Sequence, residues 1–398
     1  MENAIKEFLN KNDYDIRKSH SARWIDQKCT CDVLCIIADC ILEYVNSDIN
    51  TNFSISDIWN NQYTKENVES LFSKPDLNSK SSKNEYDKFF SQPINLLVYS
   101  GVIKFIEKES NMKIFSIQNL SLLEYISIRD TNSLLFLQLY IEKVLKDSNL
   151  YVYFNDFLSF QNKASFKKLK EKFIDFVIKN TPINTATECS RIFTKILNPL
   201  AFKYRKNGVR RGVMSNTIIT FDELKYNRLN FRDVFSGKEK SDTRTEHNKK
   251  YIQLNIKYNI QKAKRIVSKY NEKYNNGLSE ILNSEDKTKA TQIHHIFPAS
   301  DFPIISDYIE NLIALTPNQH FLQAHPKNNT RYISRDFQYI CLVSKMDMII
   351  KDTTHTYSFN NYRYVLNIGL NTKDFASIED CDLLIEKLDC YYSDCKVN

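Results

Sequence analysis

Apolar side chains recur at Val33, Ile36, Ile37, Ile41 and Tyr44, the spacing of one helix face, with Thr30 and Asp32 placed to cap it. Asp57–Asn60 and Lys65–Phe72 predict two shorter helices. The polar, proline-containing stretch Ser73–Lys83 predicts a loop, and Phe89–Ser100 a helix that stops at Gly101. Val102–Ile106 and Lys113–Ile117 are strand-like runs around Glu109-Ser110-Asn111, a hairpin signal. Helices closed by a hairpin suggest a winged-helix arrangement over residues 1–120, a device often used on DNA. A mixed helical domain that serves only packing or dimerisation fits the same pattern. Residues 120–200 carry helical periodicity, as in Leu134–Leu145 and Phe166–Ile178, and Pro199 is expected to end that stretch. Asn255–Tyr274 predicts a long helix bearing Lys257, Lys262, Lys264, Arg265 and Lys269.

The pattern changes near the carboxyl end. Gln292–Phe297 is a short strand ended by Pro298, and Leu312–Leu315 is a second. Thr316 then offers an N-cap, Pro317 suits the first helical position, and Gln319 stands where a capping box requires it. A short helix is expected from Pro317 to about His325, stopped by Pro326. The fold class expected overall is α+β, a mainly helical multi-domain protein ending in this ββα unit. The expected domains are 1–120, a basic helical region at 121–240, and 241–398.

Composition sharpens two points. The chain has 398 residues, 42% hydrophobic and 26% charged, with 25 Phe and 23 Tyr, which excludes a largely disordered state. Its richest apolar stretches, Leu34–Leu42 and Leu134–Tyr140, fall well short of the roughly 18 residues of a membrane span. The start, MENAIKEFLN, lacks a signal-peptide layout, so the protein is expected to stay in the cytoplasm where it is made. Nine cysteines are then expected to remain thiols. Cys29, Cys31, Cys35 and Cys40 cluster without any CxxC pair and match no usual zinc spacing; Cys35 and Cys40 suit the buried side of a helix.

Net charge is +7, but it is unevenly spread. Residues 1–160 carry −5, residues 161–270 carry +17, and residues 271–398 carry −5. A basic block between acidic ends is the footprint of a surface that meets phosphates. Within it Lys203, Arg205, Lys206, Arg210 and Arg211 crowd around Gly208 and Gly212, with Tyr204 nearby. These five cations are candidate DNA contacts, followed by Asn230 and Arg232, since Arg, Lys and Asn read base edges most readily.

Histidines cluster as well. The chain has seven, so a 32-residue window should hold about half of one, yet residues 294–325 hold His294, His295, His320 and His325. Imidazole is both a metal ligand and a base near neutral pH, so such clustering points to a metal or catalytic site. The ββα layout and the string HHIFPAS…ENLIALTPNQHFLQAHP resemble the HNH (ββα-metal) nucleases. SARWIDQKCTCDVLCIIADCI, the basic glycine-flanked run and KYNRLNFRDVF look more weakly like parts of HNH-type restriction endonucleases.

The resemblance implies a sequence-specific endonuclease for double-stranded DNA in a bacterial restriction-modification system. It implies His295 as general base, His294 and His320 as metal ligands, and Asn311 as the residue that pins the loop and orients the base. Consecutive strand residues point to opposite faces, which fits one histidine as ligand and its neighbour as base. His325 lies five residues after His320, about 140° round an α-helix, and is expected to touch a phosphate, or to ligate only if the helix ends before Pro326. One divalent cation is implied, Mg²⁺ first and Mn²⁺ or another transition metal after it, with no organic cofactor. The products would carry 5′-phosphate and 3′-hydroxyl ends. Expected partners are duplex DNA, a second copy of the chain to match a palindromic site, and a cognate methyltransferase not necessarily bound; no membrane is expected. Competing readings are a non-catalytic winged-helix regulator, a less specific phage-defence or toxin nuclease, and a carboxylate-and-lysine nuclease built on Asp222-Glu223-Leu224-Lys225.

Overall fold

The computed structural model describes residues 1–46, 48–72, 82–110, 112–226, 244–282, 284–325 and 333–393, with the side chains of 82–83 and 244–252 left out. Asn230 and Arg232 fall outside these residues. The chain is a mixed, mostly helical α+β protein that divides into two units, Met1–Asn248 and Lys249–Asn398. Among the described residues no helix is long and apolar enough to cross a membrane.

The first unit opens with helices α1 (Glu2–Asn10), α2 (Ile16–Ser19) and α3 (Cys31–Val45). Strand β1 (Phe53–Ser54), helices α4 (Ile55–Asn60), α5 (Gln62–Phe72) and α6 (Ser82–Tyr99), and strands β2 (Ile103–Glu109) and β3 (Met112–Ile117) follow. The three strands form an antiparallel sheet in the order β1-β3-β2, with Phe53 opposite Phe115 and Phe105 opposite Phe115 on the other side. Helix α6 begins two residues inside the stretch expected as loop. Its end at Tyr99 is followed by Gly101 at a φ of +81°, a conformation glycine reaches without steric cost. α3 is buried along almost its whole length, Cys31, Cys35 and Cys40 included, because it runs between α6, α7 (Leu120–Ile128) and α8 (Asp130–Asp147). All cysteines among the described residues are free thiols.

Helices α9 (Tyr151–Phe160), α10 (Lys163–Asn180) and α11 (Ala186–Lys203) pack through Phe154, Phe157, Phe166, Phe173 and Phe193. Pro199 lies inside α11 and does not end it. A mid-helix proline costs roughly 3 kcal/mol. Here Ile192, Phe193, Ile196, Leu197, Leu200 and Ala201 are all buried along the same helix, and burial of that size outweighs the lost hydrogen bond. The basic run after α11 is a hairpin, β4 (Asn207–Arg210) and β5 (Val213–Ile218), followed by the short helix α12 (Phe221–Leu224).

The second unit contains most of the long helix α13 (Arg244–Tyr274), then β6 (Gln292–His295), β7 (Leu312–Leu315), and helices α14 (Arg335–Lys351), α15 (Phe359–Gly369) and α16 (Cys381–Ser393). β6 and β7 pair antiparallel with His294 opposite Ile313 and His295 opposite Leu312. All four β7 residues are buried, so this two-stranded ladder is the centre of the unit. Glu280 accepts from the Ala314 amide and pairs with Lys345 of α14, both side chains fully buried. Such an ion pair fixes one arrangement of strand and helix, because either charge alone would be stranded in the core.

Candidate metal and catalytic centre

The pleat of β6 sends its two histidines to opposite sides. His294 turns toward the segment that follows β7, where the expected capping box forms. The Thr316 amide donates to Gln319 Oε1 at 3.0 Å and the Gln319 amide donates to Thr316 Oγ1 at 3.3 Å. That reciprocal pair starts a helix, but from Gln319 to Ala324 the winding is π rather than α. Bonds from i to i+5 widen the turn, so a five-residue spacing returns close to the same face. His325, just past the π segment, is thereby carried alongside His320 instead of about 140° away, which is why it joins the site.

The result is a near-equilateral group. Ring centroids are 5.1 Å apart for His294 and His320, 4.9 Å for His294 and His325, and 5.0 Å for His320 and His325, with interplanar angles of 76°, 75° and 84°. One nitrogen from each lies within 4.8 Å of the others. His294 Nε2 and His320 Nδ1 are buried and have no hydrogen-bond partner. Buried polar nitrogens are normally satisfied. Two unsatisfied nitrogens within this close group of imidazoles fit a cation held by His294, His320 and His325. Electrostatics agrees: burial above all, then His325 and His320, pushes His294 down to about 3, and burial followed by His325 lowers His320. Neutral imidazole is the form that ligates.

His295 faces away from that group. Its Nε2 lies 2.9 Å from the Ser306 carbonyl oxygen, which can only accept, so Nε2 carries the hydrogen and Nδ1 keeps its lone pair. Burial also lowers the basicity of His295, so the ring is neutral at pH 7. Asn311 is fully buried and ties the two sides of the β6–β7 loop. Its Nδ2 donates to the Phe297 carbonyl at 3.0 Å and the Ile305 carbonyl at 3.2 Å, and its Oδ1 accepts from the Phe297 amide at 2.8 Å. Ile305 precedes Ser306, so these bonds set the carbonyl that holds His295.

Sequence reasoning missed one neighbour. Lys264 of α13 is half-buried, desolvation lowers its own basicity, and its charge depresses His294, His295 and His320 alike. It forms no salt bridge among the described residues, and the only signal in the sequence was its place in a basic helix.

The candidate DNA contacts separate into two kinds. Lys203 pairs with Glu142 at 2.9 Å, and the Tyr204 hydroxyl donates to the same carboxylate at 2.7 Å. Arg210 forks onto Glu223, whose carboxyl it holds at about 2, and also bonds Thr217. Arg205 and Arg211 are exposed, Lys206 is half-buried, and none of the three has an ion-pair partner among the described residues. Gly208 serves packing: a Cβ there would lie 2.5 Å from Asn198 Oδ1. The Glu223–Lys225 pattern is divided between two ion pairs, Glu223 with Arg210 and Lys225 with Asp130 at 3.4 Å. No protein-family model, no curated protein and no solved structure matches this chain.

Proposed function

We propose that this chain is a metal-dependent endonuclease for double-stranded DNA, acting in a bacterial restriction system, with His295 as its general base. One observation carries the reading. Three imidazoles converge on one point, while the next residue on the same strand offers a free nitrogen on the other face of the pleat.

A cation held by His294, His320 and His325 would supply Lewis-acid stabilisation of the charge that builds on the attacked phosphate and the leaving 3′ oxygen. His295 Nδ1 accepts the proton of the attacking water, and the Ser306 carbonyl steadies the imidazolium that forms. The water oxygen bonds to phosphorus as the bond to the 3′ oxygen breaks, leaving 5′-phosphate and 3′-hydroxyl ends. Asn311 is a positioning residue for this step. Lys264 adds positive potential beside the histidines, which favours arrival of a phosphodiester anion.

An all-imidazole donor set favours zinc or a neighbouring transition ion over magnesium, which prefers oxygen ligands and keeps its waters. We therefore place Zn²⁺ ahead of Mn²⁺, and Mg²⁺ last. The order β6, β7, helix supports the ββα-metal resemblance, and the chain order α3-β1-α4/α5-α6-β2-β3 with sheet order β1-β3-β2 supports a winged helix in the first unit. The test uses chelator-treated full-length chain with Zn²⁺, Mn²⁺ or Mg²⁺ added singly and a plasmid substrate. Cutting restored best by a transition ion, at discrete sites, supports the reading; a plasmid left intact under every ion overturns it.

A further inference from the structure

Two arginines stand side by side at the tip of the β4–β5 ribbon, and the fold treats them differently. Arg210 is the last residue of β4 and opposes Val213, the first of β5, so the loop between them is just Arg211 and Gly212. These take φ values of +53° and +80°, the sign pair of a two-residue hairpin turn that favours Asn-Gly, Asp-Gly or Gly-Gly. Arginine is a poor choice at the first of these places, because an L side chain there crowds the backbone. Arg210 spends its guanidinium on Glu223 and Thr217 within the chain. Arg211 is exposed and has no partner among the described residues, so nothing described in the fold repays its conformation.

The surroundings favour a polyanion. Lys170 of α10 donates to the Gly212 carbonyl at 2.8 Å, fixing the tip over that helix. Lys163 and Lys167 lie on the same stripe of α10, two turns and one turn before Lys170 respectively, and both are exposed; Lys167 has a 3.9 Å contact with Glu171. The ribbon's outward side adds Val213, 63% exposed, while Val209 on the other side is buried against α11. A two-stranded ribbon fits the DNA major groove, an arginine fork matches O6 and N7 of guanine, and an apolar side chain can meet a thymine methyl.

We propose that the β4–β5 ribbon enters the major groove of duplex DNA, with Arg211 reading a guanine, Lys163 and Lys167 on the flanking phosphates, and Arg210 and Lys170 acting as internal braces. The proposal rests on the nuclease reading only for the identity of the polyanion. Its test is binding by the full-length His295→Ala chain, which cannot use the proposed base, to a library of randomised duplexes.

The parent should select a motif. Adding Arg211→Gly should erase the preference at one G·C position and weaken binding to the selected motif by roughly 10- to 100-fold, with little effect on unrelated duplex. Glycine suits the turn better than arginine, so this variant should melt no lower than its parent and lost binding cannot be assigned to unfolding. Arg211→Lys keeps the charge but not the fork, and should lose the same base preference. Lys163→Ala should weaken all duplexes equally and lower the salt slope by about 1. An unchanged motif in Arg211→Gly, full recovery by lysine, selection of no motif, or binding to RNA or protein instead of duplex DNA overturns the proposal. Unaltered cutting sites in Arg211→Gly would sink the ribbon and leave the nuclease standing. Arg211-dependent binding without cleavage by the wild-type chain would do the reverse.

Discussion

Asn311→Ala strikes the loop that presents His295 without touching a metal ligand. Three hydrogen bonds are lost. The Phe297 amide and carbonyl are left without a partner, while the Ile305 carbonyl keeps the Tyr308 amide at 3.2 Å. A stranded buried backbone group costs roughly 1–3 kcal/mol, and a bond lost where a second partner survives costs about 1. The sum, about 3–7 kcal/mol, is a large share of the 5–15 kcal/mol that usually holds a domain together. Asn311→Asp keeps an acceptor for the Phe297 amide but turns its other oxygen toward two carbonyls, so the buried carboxyl must hold a proton to donate to either of them. The chain carries its own control. Both tryptophans, Trp24 and Trp59, lie in the first unit, so their fluorescence in urea follows that unit alone. Amide exchange at Ile296 and Phe297 follows the second. The expected outcome is an unchanged tryptophan transition, exchange protection reduced by at least about 100-fold, and slower DNA cleavage. Protection within about 5-fold of wild type would refute the account of how this loop is held.

The other expectations concern the histidine group. His325→Ala and His320→Ala should each weaken zinc binding by more than about 10-fold, since even residues behind the ligands cost that much when removed; unchanged affinity of His325→Ala by calorimetry would return His325 to a phosphate contact. His294, held down near 3 by burial first and its histidine neighbours next, lies below the roughly 6.5 of a free imidazole. Unfolding therefore takes up a proton between those values. The metal-free second unit should be most stable above pH 6.5 and lose up to about 1.4 kcal/mol per pH unit for this group as pH falls. Exchange protection measured with chelator at pH 7.5 and 5.0 checks the sign, and greater protection at the lower pH would contradict it. Lys264→Ala removes a cation that faces the ligands, so zinc affinity should hold or rise while cleavage falls by roughly 10-fold or more; weaker zinc binding in this variant would show that the lysine supports the fold instead.

What the sequence disclosed followed local rules. The pleat separates His294 from His295, and Thr316 with Gln319 caps the following helix, because both depend on residues a few positions apart. His325 escaped because its placement assumed α-helical winding, and no residue between Gln319 and Ala324 announces a π turn. Pro199 misled for a related reason: its local penalty was visible, whereas the burial that overrides it depends on α8, α10 and the ribbon. The basic run showed where positive charge lies but not which charges remain available. Glu142 lies 61 residues from Lys203. The Ser306 carbonyl, a backbone group, leaves no trace in side-chain identity at all.

The most direct test of the central claim compares wild type with His295→Ala at equal zinc occupancy, with DNA binding measured alongside, and sequences the ends of a digested plasmid. The expected result is discrete cuts with 5′-phosphate and 3′-hydroxyl ends from wild type, and bound but uncut DNA from the variant. Equal cutting by His295→Ala, or 3′-phosphate ends from wild type, would contradict the mechanism.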